Sequence, residues 1–190
     1  MKFKNIICIS GRICAGKSQA AECISRKFGF PVISFGEFLH YYSIKNKYSI
    51  ERQTFSELGD KLVSQDPQHF LNEVIEYFPI DKDSIILDGV RHKAILDAIT
   101  EITENRIAIF INTSFKTRYQ RCYSRKKIYD DFSTFEKFYK ADSHRVEAEI
   151  ESLKLYCDII VDTRKINNEK LLNLISTYLI GKKERNLGIE

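Results

Sequence analysis

The chain has no apolar run approaching the ~20 residues that a membrane-spanning helix needs, so a soluble protein with no membrane partner is expected. Met1 to Ile9 joins a basic start to a short apolar stretch that passes directly into a glycine loop. A signal peptide would show a longer apolar region and a small-residue cleavage site. There is no Cys-x-x-Cys pair: Cys8, Cys14, Cys23, Cys122 and Cys157 are odd in number and scattered. That spacing argues against a disulfide framework or zinc cluster, and for reduced thiols in a cytoplasmic setting. The four histidines, His40, His69, His92 and His144, lack ligand spacing, which argues against a metal site built on them. Repeats, low-complexity tracts and linkers are absent, and 190 residues fit one domain. The net charge of +4 suits an anionic ligand and is too small to argue for duplex nucleic acid.

What is present is an alternation of short apolar runs with helical periodicity. Strands are predicted at Phe3 to Ile9, Pro31 to Ser34, Ser84 to Leu87, Arg106 to Ile111 and Asp158 to Val161. Helices are predicted at Gln19 to Phe28, Gly36 to Lys47, Glu51 to Gln65, Gln68 to Phe78, His92 to Ile102, Phe115 to Lys126 and Asn168 to Leu179. Ser133-x-x-Glu136 has the form of a capping box that would open one long helix reaching Tyr156, and the polar tail from Lys182 is expected to fray. Strands separated by helices imply an α/β fold, a three-layer α/β/α sandwich around a five-stranded parallel sheet. Gly11, Ser34, Asp88 and Asn112 fall at the carboxyl ends of these strands, where such sheets bind ligands.

Gly11-Arg12-Ile13-Cys14-Ala15-Gly16-Lys17-Ser18 matches G-x-x-x-x-G-K-S without a mismatch, between a predicted strand and a predicted helix that Gln19 enters. Each fixed position has a chemical reason. The glycines let the backbone wrap phosphates with its N–H groups, and the following helix adds its positive end. Lys17 supplies a point charge to the β- and γ-phosphates, and the Ser18 hydroxyl ligates magnesium. ATP with Mg2+ is therefore the expected ligand of residues Gly11 to Gln19. Cys14, inside the loop, reads either as a filler or as a reactive thiol.

Further positions converge on the same crevice. Asp88, ending a strand, would hold a magnesium-bound water or orient an acceptor, or else form a turn with Gly89. Arg91 could grip an acceptor phosphate bidentately or decorate the next helix. Arg121 and Arg125, one helical turn apart, can face one cleft and stabilise a transferring phosphoryl group; the alternative is a solvated helix face extended by Arg118, Lys126 and Lys127. Arg145 is either a further catalytic cation or part of an exposed mixed-charge face. Phe35, Phe38, Tyr41 and Tyr42 could stack an acceptor base or belong to the core, with Phe38 best placed for stacking.

Ile86-Leu87-Asp88-Gly89-Val90-Arg91 resembles the strand end and substrate loop of the nucleoside monophosphate kinases, the adenylate kinase family. Ser34-Phe35-Gly36-Glu37-Phe38-Leu39-His40 is similar to that family's Ser-Thr-Gly-Asp-x-Leu-Arg, and Arg121-x-x-x-Arg125 to the arginine pair on its lid-bearing helix. Arg145 sits where the family returns another arginine from the lid. The resemblance implies a single P-loop kinase domain with core 1–35, 80–125 and 157–181, an acceptor-binding region 36–79 and a short helical lid 126–156. It implies γ-phosphoryl transfer to a nucleotide held by Ser34, Gly36, Phe38, His40 and Arg91. Dephospho-coenzyme A kinase shares the loop and the Arg121/Arg125 spacing, so transfer to a hydroxyl is the alternative. A nucleotide-dependent switch, or an ATPase without an acceptor, is a third reading.

This chain departs from the family in several places. His40 stands where an acceptor-holding arginine is usual and would grip phosphate more weakly. Glu37 replaces an aspartate, the arginine after Asp88 comes one residue early, and the lid has no cysteine quartet for zinc. These departures bear on the acceptor rather than on the triphosphate site. A homodimer is left open.

Overall fold

A computed structural model of the chain describes residues 2–124, 134–143, 145–163 and 167–187. Its sheet has five strands: β1 (Phe3–Ser10), β2 (Val32–Ser34), β3 (Ser84–Asp88), β4 (Thr103–Asn112) and β5 (Ile159–Asp162). They lie in the order β2-β3-β1-β4-β5, and every adjacent pair is parallel. The expected five-stranded α/β architecture is present.

Side-chain alternation along the strands divides the core in two. Ile6 and Cys8 of β1, with Ala108 and Phe110 of β4, face a cluster covered by α2 (Phe35–Lys45), α3 (Arg52–Gln65), α4 (Pro67–Tyr77) and α5 (Lys93–Glu101). Ile7 and Ile9, with Ile107, Ile109 and Ile111, face α1 (Lys17–Phe28) and α9 (Asn168–Leu187) on the other side. β1 and β4 are apolar on both faces because both faces are covered. Each such buried aliphatic side chain contributes about 1.5–3 kcal/mol by leaving water.

Several boundaries differ from the sequence reading. β4 begins at Thr103 rather than Arg106, because Thr103 and Asn105 pair with β1 through their backbones although their side chains break the apolar run. α9 continues to Leu187 instead of fraying at Lys182. Ser133 lies outside the described residues. The cap observed is Thr134, whose hydroxyl accepts from Lys137 N at 3.3 Å.

The single long helix expected up to Tyr156 is α7 (Phe135–Asp142), α8 (Arg145–Ser152) and a 3-10 turn (Leu153–Tyr156). Asp142 and Glu147 explain the break. Five residues apart on one straight helix, they would point about 140° from each other. After the break both carboxylates are buried against residues of the glycine loop.

The cysteine reading needs the largest correction. Cys14 and Cys122 form a disulfide with Cα atoms 5.7 Å apart. Their separation of 108 residues hid the pair, since the fold alone brings the loop against α6 (Phe115–Ser124). With two thiols paired, cysteine usage no longer argues for a reducing compartment. Among the described residues, no helix is long and apolar enough to cross a membrane.

Candidate active site

The loop between β1 and α1 takes a shape that its glycines make possible. Gly11 has φ 143°, and a Cβ there would lie 2.6 Å from the Ile111 carbonyl oxygen, so only glycine fits. Gly16 has φ 104° and borders the Arg121 guanidinium. Cys14 is a non-glycine residue at φ 55°, held by its bond to Cys122. Thr113, just beyond β4, donates its hydroxyl to Ala15 O at 2.8 Å and fixes the outer wall of the loop.

Lys17 curls back on the loop, donating to Gly11 O at 2.8 Å and Arg12 O at 2.9 Å. Burial first, then the positive field of Arg91, pulls its pKa down from 10.5 to about 7, although Glu147 and Asp88 pull it up. Ser18 donates to Asp88 Oδ2 at 2.8 Å. Asp88 is buried, and among the described residues its Oδ1 has no hydrogen-bond partner. A hydroxyl and an orphaned carboxylate oxygen side by side are the hard oxygen donors that magnesium prefers, so these residues fit Mg2+.

A cavity opens from the loop toward α2 and α3, lined among others by Lys17, Ser34, Gly36, Arg52, Asp88 and Arg91. Ser34 also caps α2, accepting from Glu37 N at 3.3 Å. Gln19 and Arg121 border a second cleft, across the loop, with Thr163, Asn167 and Asn168. Arg121 donates to Ala15 O at 2.8 Å.

Phe38 does not line the cavity. It is a core residue, 3% exposed, packed on Phe70, Tyr42 and Tyr77. His40 also lies off the cavity wall, its ring set edge-on to Phe55. The Arg12 guanidinium turns toward Asp142 of α7 at 3.2 Å. Arg125 and the Arg145 side chain lie outside what the structure describes.

Sequence reasoning missed three groups. Arg118, read as part of a solvated run, is 3% exposed. It forms a two-pronged pair with Asp142 and donates from Nε to Thr113 O. Arg52, at the start of α3, carried no motif yet lines the cavity. Glu147, within an ordinary mixed-charge helix, accepts from Arg91 at 2.6 Å, Arg52 at 3.3 Å and Ile13 N at 2.8 Å. Burial opposes ionisation of Glu147, but Arg91, Arg52 and Lys17 outweigh it and hold the carboxyl well below the usual carboxylate range. Nothing in the local sequence distinguishes Glu147 from Glu149 or Glu151.

No known family pattern and no curated protein matches the chain by sequence. Solved structures do match. The shikimate kinase of Aquifex aeolicus is 18% identical with a TM-score of 0.57, over 94% of this chain and 98% of that one. The shikimate kinase of Bacteroides thetaiotaomicron is 15% identical with a TM-score of 0.61, over 90% and 98%. A gluconokinase of Sinorhizobium meliloti is 16% identical with a TM-score of 0.52, over 98% and 97%. The chain thus has the fold of these solved kinases.

Proposed function

We propose that this protein is a P-loop phosphotransferase that moves the γ-phosphoryl group of ATP to a small acceptor. The observation that carries the reading is the glycine loop, with Lys17 and the Ser18–Asp88 pair, opening onto a cavity whose other wall bears Arg52 and Arg91. The triphosphate would lie along the loop, its β- and γ-phosphates taking the Lys17 charge. The second cleft, beside Arg121 and Asn168, would receive the rest of the nucleotide.

Ser18 and Asp88 would hold Mg2+, which supplies charge neutralisation to the phosphates. Positioning and positive charge do most of the remaining work in phosphoryl transfer. The bond from the γ-phosphorus to the bridging oxygen breaks, that oxygen leaves on ADP with the electron pair, and a bond to the acceptor oxygen forms. Arg121 would sit beside the nucleotide in the second cleft, leaving Arg125 and Arg145 as the further candidates to balance charge on the moving group.

The helical segment 36–79 forms the acceptor side in this reading, through Ser34, Gly36 and Arg91 at its edge. A nucleoside monophosphate is the acceptor that Arg52 and Arg91 suit best, since an arginine pair can grip a phosphate. It has no proton to shed at the reacting oxygen. Transfer to a hydroxyl is the second reading, supported by similarity of fold to shikimate kinase and gluconokinase.

Incubation with Mg2+ and γ-labelled ATP separates them. The panel comprises nucleoside and deoxynucleoside monophosphates, dephospho-coenzyme A, shikimate and gluconate. One class of acceptor should gain label in the native protein and none with Lys17→Ala. Persistent hydrolysis with no labelled acceptor would leave an ATPase or switch, and end the transferase reading.

A further inference from the structure

Among the described residues, the anion-binding groups around the loop are engaged inside the protein. Lys17 is bonded to the Gly11 and Arg12 carbonyls, and Arg121 to the Ala15 carbonyl. The remaining three converge on one side chain. Glu147 Oε1 takes Arg91 at 2.6 Å and Arg52 at 3.3 Å, and Oε2 takes the Ile13 N–H at 2.8 Å. All three of those partners line the cavity, while the Glu147 side chain lies behind its wall, 4% exposed. A loop amide of this kind suits a phosphate oxygen, yet here it faces a carboxylate supplied by α8.

We propose that Glu147 is a displaceable internal anion: a phosphorylated ligand must take Arg52, Arg91 and the Ile13 N–H away from it, so the cleft admits only ligands anionic enough to win that exchange. This rests on the nucleotide-site reading above and makes Glu147 a specificity-determining residue of that site. The charges support an exchange. Lys17, Arg52 and Arg91 line one cavity with Asp88, and Glu147 is buried directly behind them, where a carboxylate resists a second anion nearby. A neutral or singly charged ligand gains too little from the arginines to uncover a buried carboxylate; a polyphosphate offers several oxygens to the same donors. Withdrawal of Glu147 would loosen α8, since Arg52, Arg91 and the Ile13 N–H tie its side chain to the cavity wall.

A purely positioning role makes the opposite forecast. If Glu147 aims the arginines at the ligand, removing its charge should weaken anion binding. Glu147→Gln keeps the shape and removes the charge, so inorganic pyrophosphate binding, measured by calorimetry at fixed salt, discriminates. Displacement expects about tenfold tighter binding by Glu147→Gln, equivalent to ~1.4 kcal/mol. Glu147→Asp, which keeps the charge, should return to within about threefold of the native value. Equal or weaker binding by a folded Glu147→Gln overturns the proposal.

Should that variant fail to fold, hydrogen exchange on the native chain decides. Pyrophosphate should speed amide exchange in residues 145–152 while the loop becomes protected. Unchanged or slower exchange there overturns displacement. If native and variant bind ATP alike, displacement falls and the nucleotide site stands. If neither binds ATP or pyrophosphate, both fall.

Discussion

The sheet and the junction between the glycine loop and helices α6 to α8 are held together by different physics. Ile6, Ile7, Ile9, Ile107 and Ile109 are fully inaccessible, and a parallel ladder joins their strands. That assembly depends on apolar burial, which is non-directional and carries no charge. At the junction the buried apolar cluster shrinks to Ile13, Cys14, Cys122 and Phe138. There the loop meets α7 through Arg12–Asp142, α8 through the Ile13 N–H on Glu147, and α6 through the Cys14–Cys122 bond, while Arg118–Asp142 joins α6 to α7. A phosphate cannot compete with an isoleucine for its neighbours, but it can compete with a carboxylate for an arginine. The frame is built to stay, and the junction to answer charge.

The sharpest contrast pairs two substitutions. Lys17→Met should cut phosphoryl transfer roughly 1000-fold, about 4 kcal/mol of transition-state stabilisation, in a protein that still melts cooperatively. Ile109→Ala should do the reverse. It empties a fully buried position in the sheet and should lower unfolding free energy by about 3 kcal/mol in urea. Nucleotide affinity per folded molecule should be unchanged. If Ile109→Ala weakened nucleotide binding at temperatures where it is folded, frame and junction would not be separable.

Replacing Cys14 and Cys122 together by serine should cost roughly 2–4 kcal/mol, because the bond closes a long loop in the unfolded chain. Mass spectrometry of protein alkylated after denaturation without reductant should find label on three cysteines, Cys8, Cys23 and Cys157, and none on Cys14 or Cys122. Five alkylated thiols would show that the junction holds without a covalent tie.

Smaller effects come from pH. In the free protein Lys17 loses its charge as pH rises through about 7, whereas a bound triphosphate holds the proton. Triphosphate binding should therefore weaken about tenfold between pH 6 and pH 8, with proton uptake visible in buffers of different ionisation enthalpy. An unfolded lysine keeps its proton to near 10.5, so stability of the free protein should rise with pH across that window. Glu147 acts at the other end. Its carboxyl is depressed in the folded state, so its contribution is present above the unfolded carboxylate range and is lost as pH falls below that range. Acid should accordingly raise exchange in α8 before it does so in β1 or β4. Simultaneous loss in both would contradict the contrast.

Legibility in the sequence followed the same division. Strands, helices and loop could be read because apolar alternation and the spacing of Gly11, Gly16, Lys17 and Ser18 are local signals. Asp88 could be read as a candidate because strand ends converge in such folds, and Arg91 because it closes the Ile86 to Arg91 segment; both border the cavity. Phe38 and His40 were placed with the ligand because aromatic and polar residues near a strand end do not reveal which helix face they occupy. Arg52, Glu147 and the Cys14–Cys122 pair depend on contacts 95, 134 and 108 residues apart. No local pattern encodes such contacts, and a carboxylate in a mixed-charge helix looks solvated until the fold buries it.

The central claim is that the loop from Gly11 to Ser18 binds polyphosphate, and calorimetric titration with Mg·ATP tests it most directly. The native protein should give a saturable one-to-one isotherm that Lys17→Met abolishes. A well-folded native protein that releases or absorbs no heat with ATP, or that binds equally well without the lysine, would contradict it.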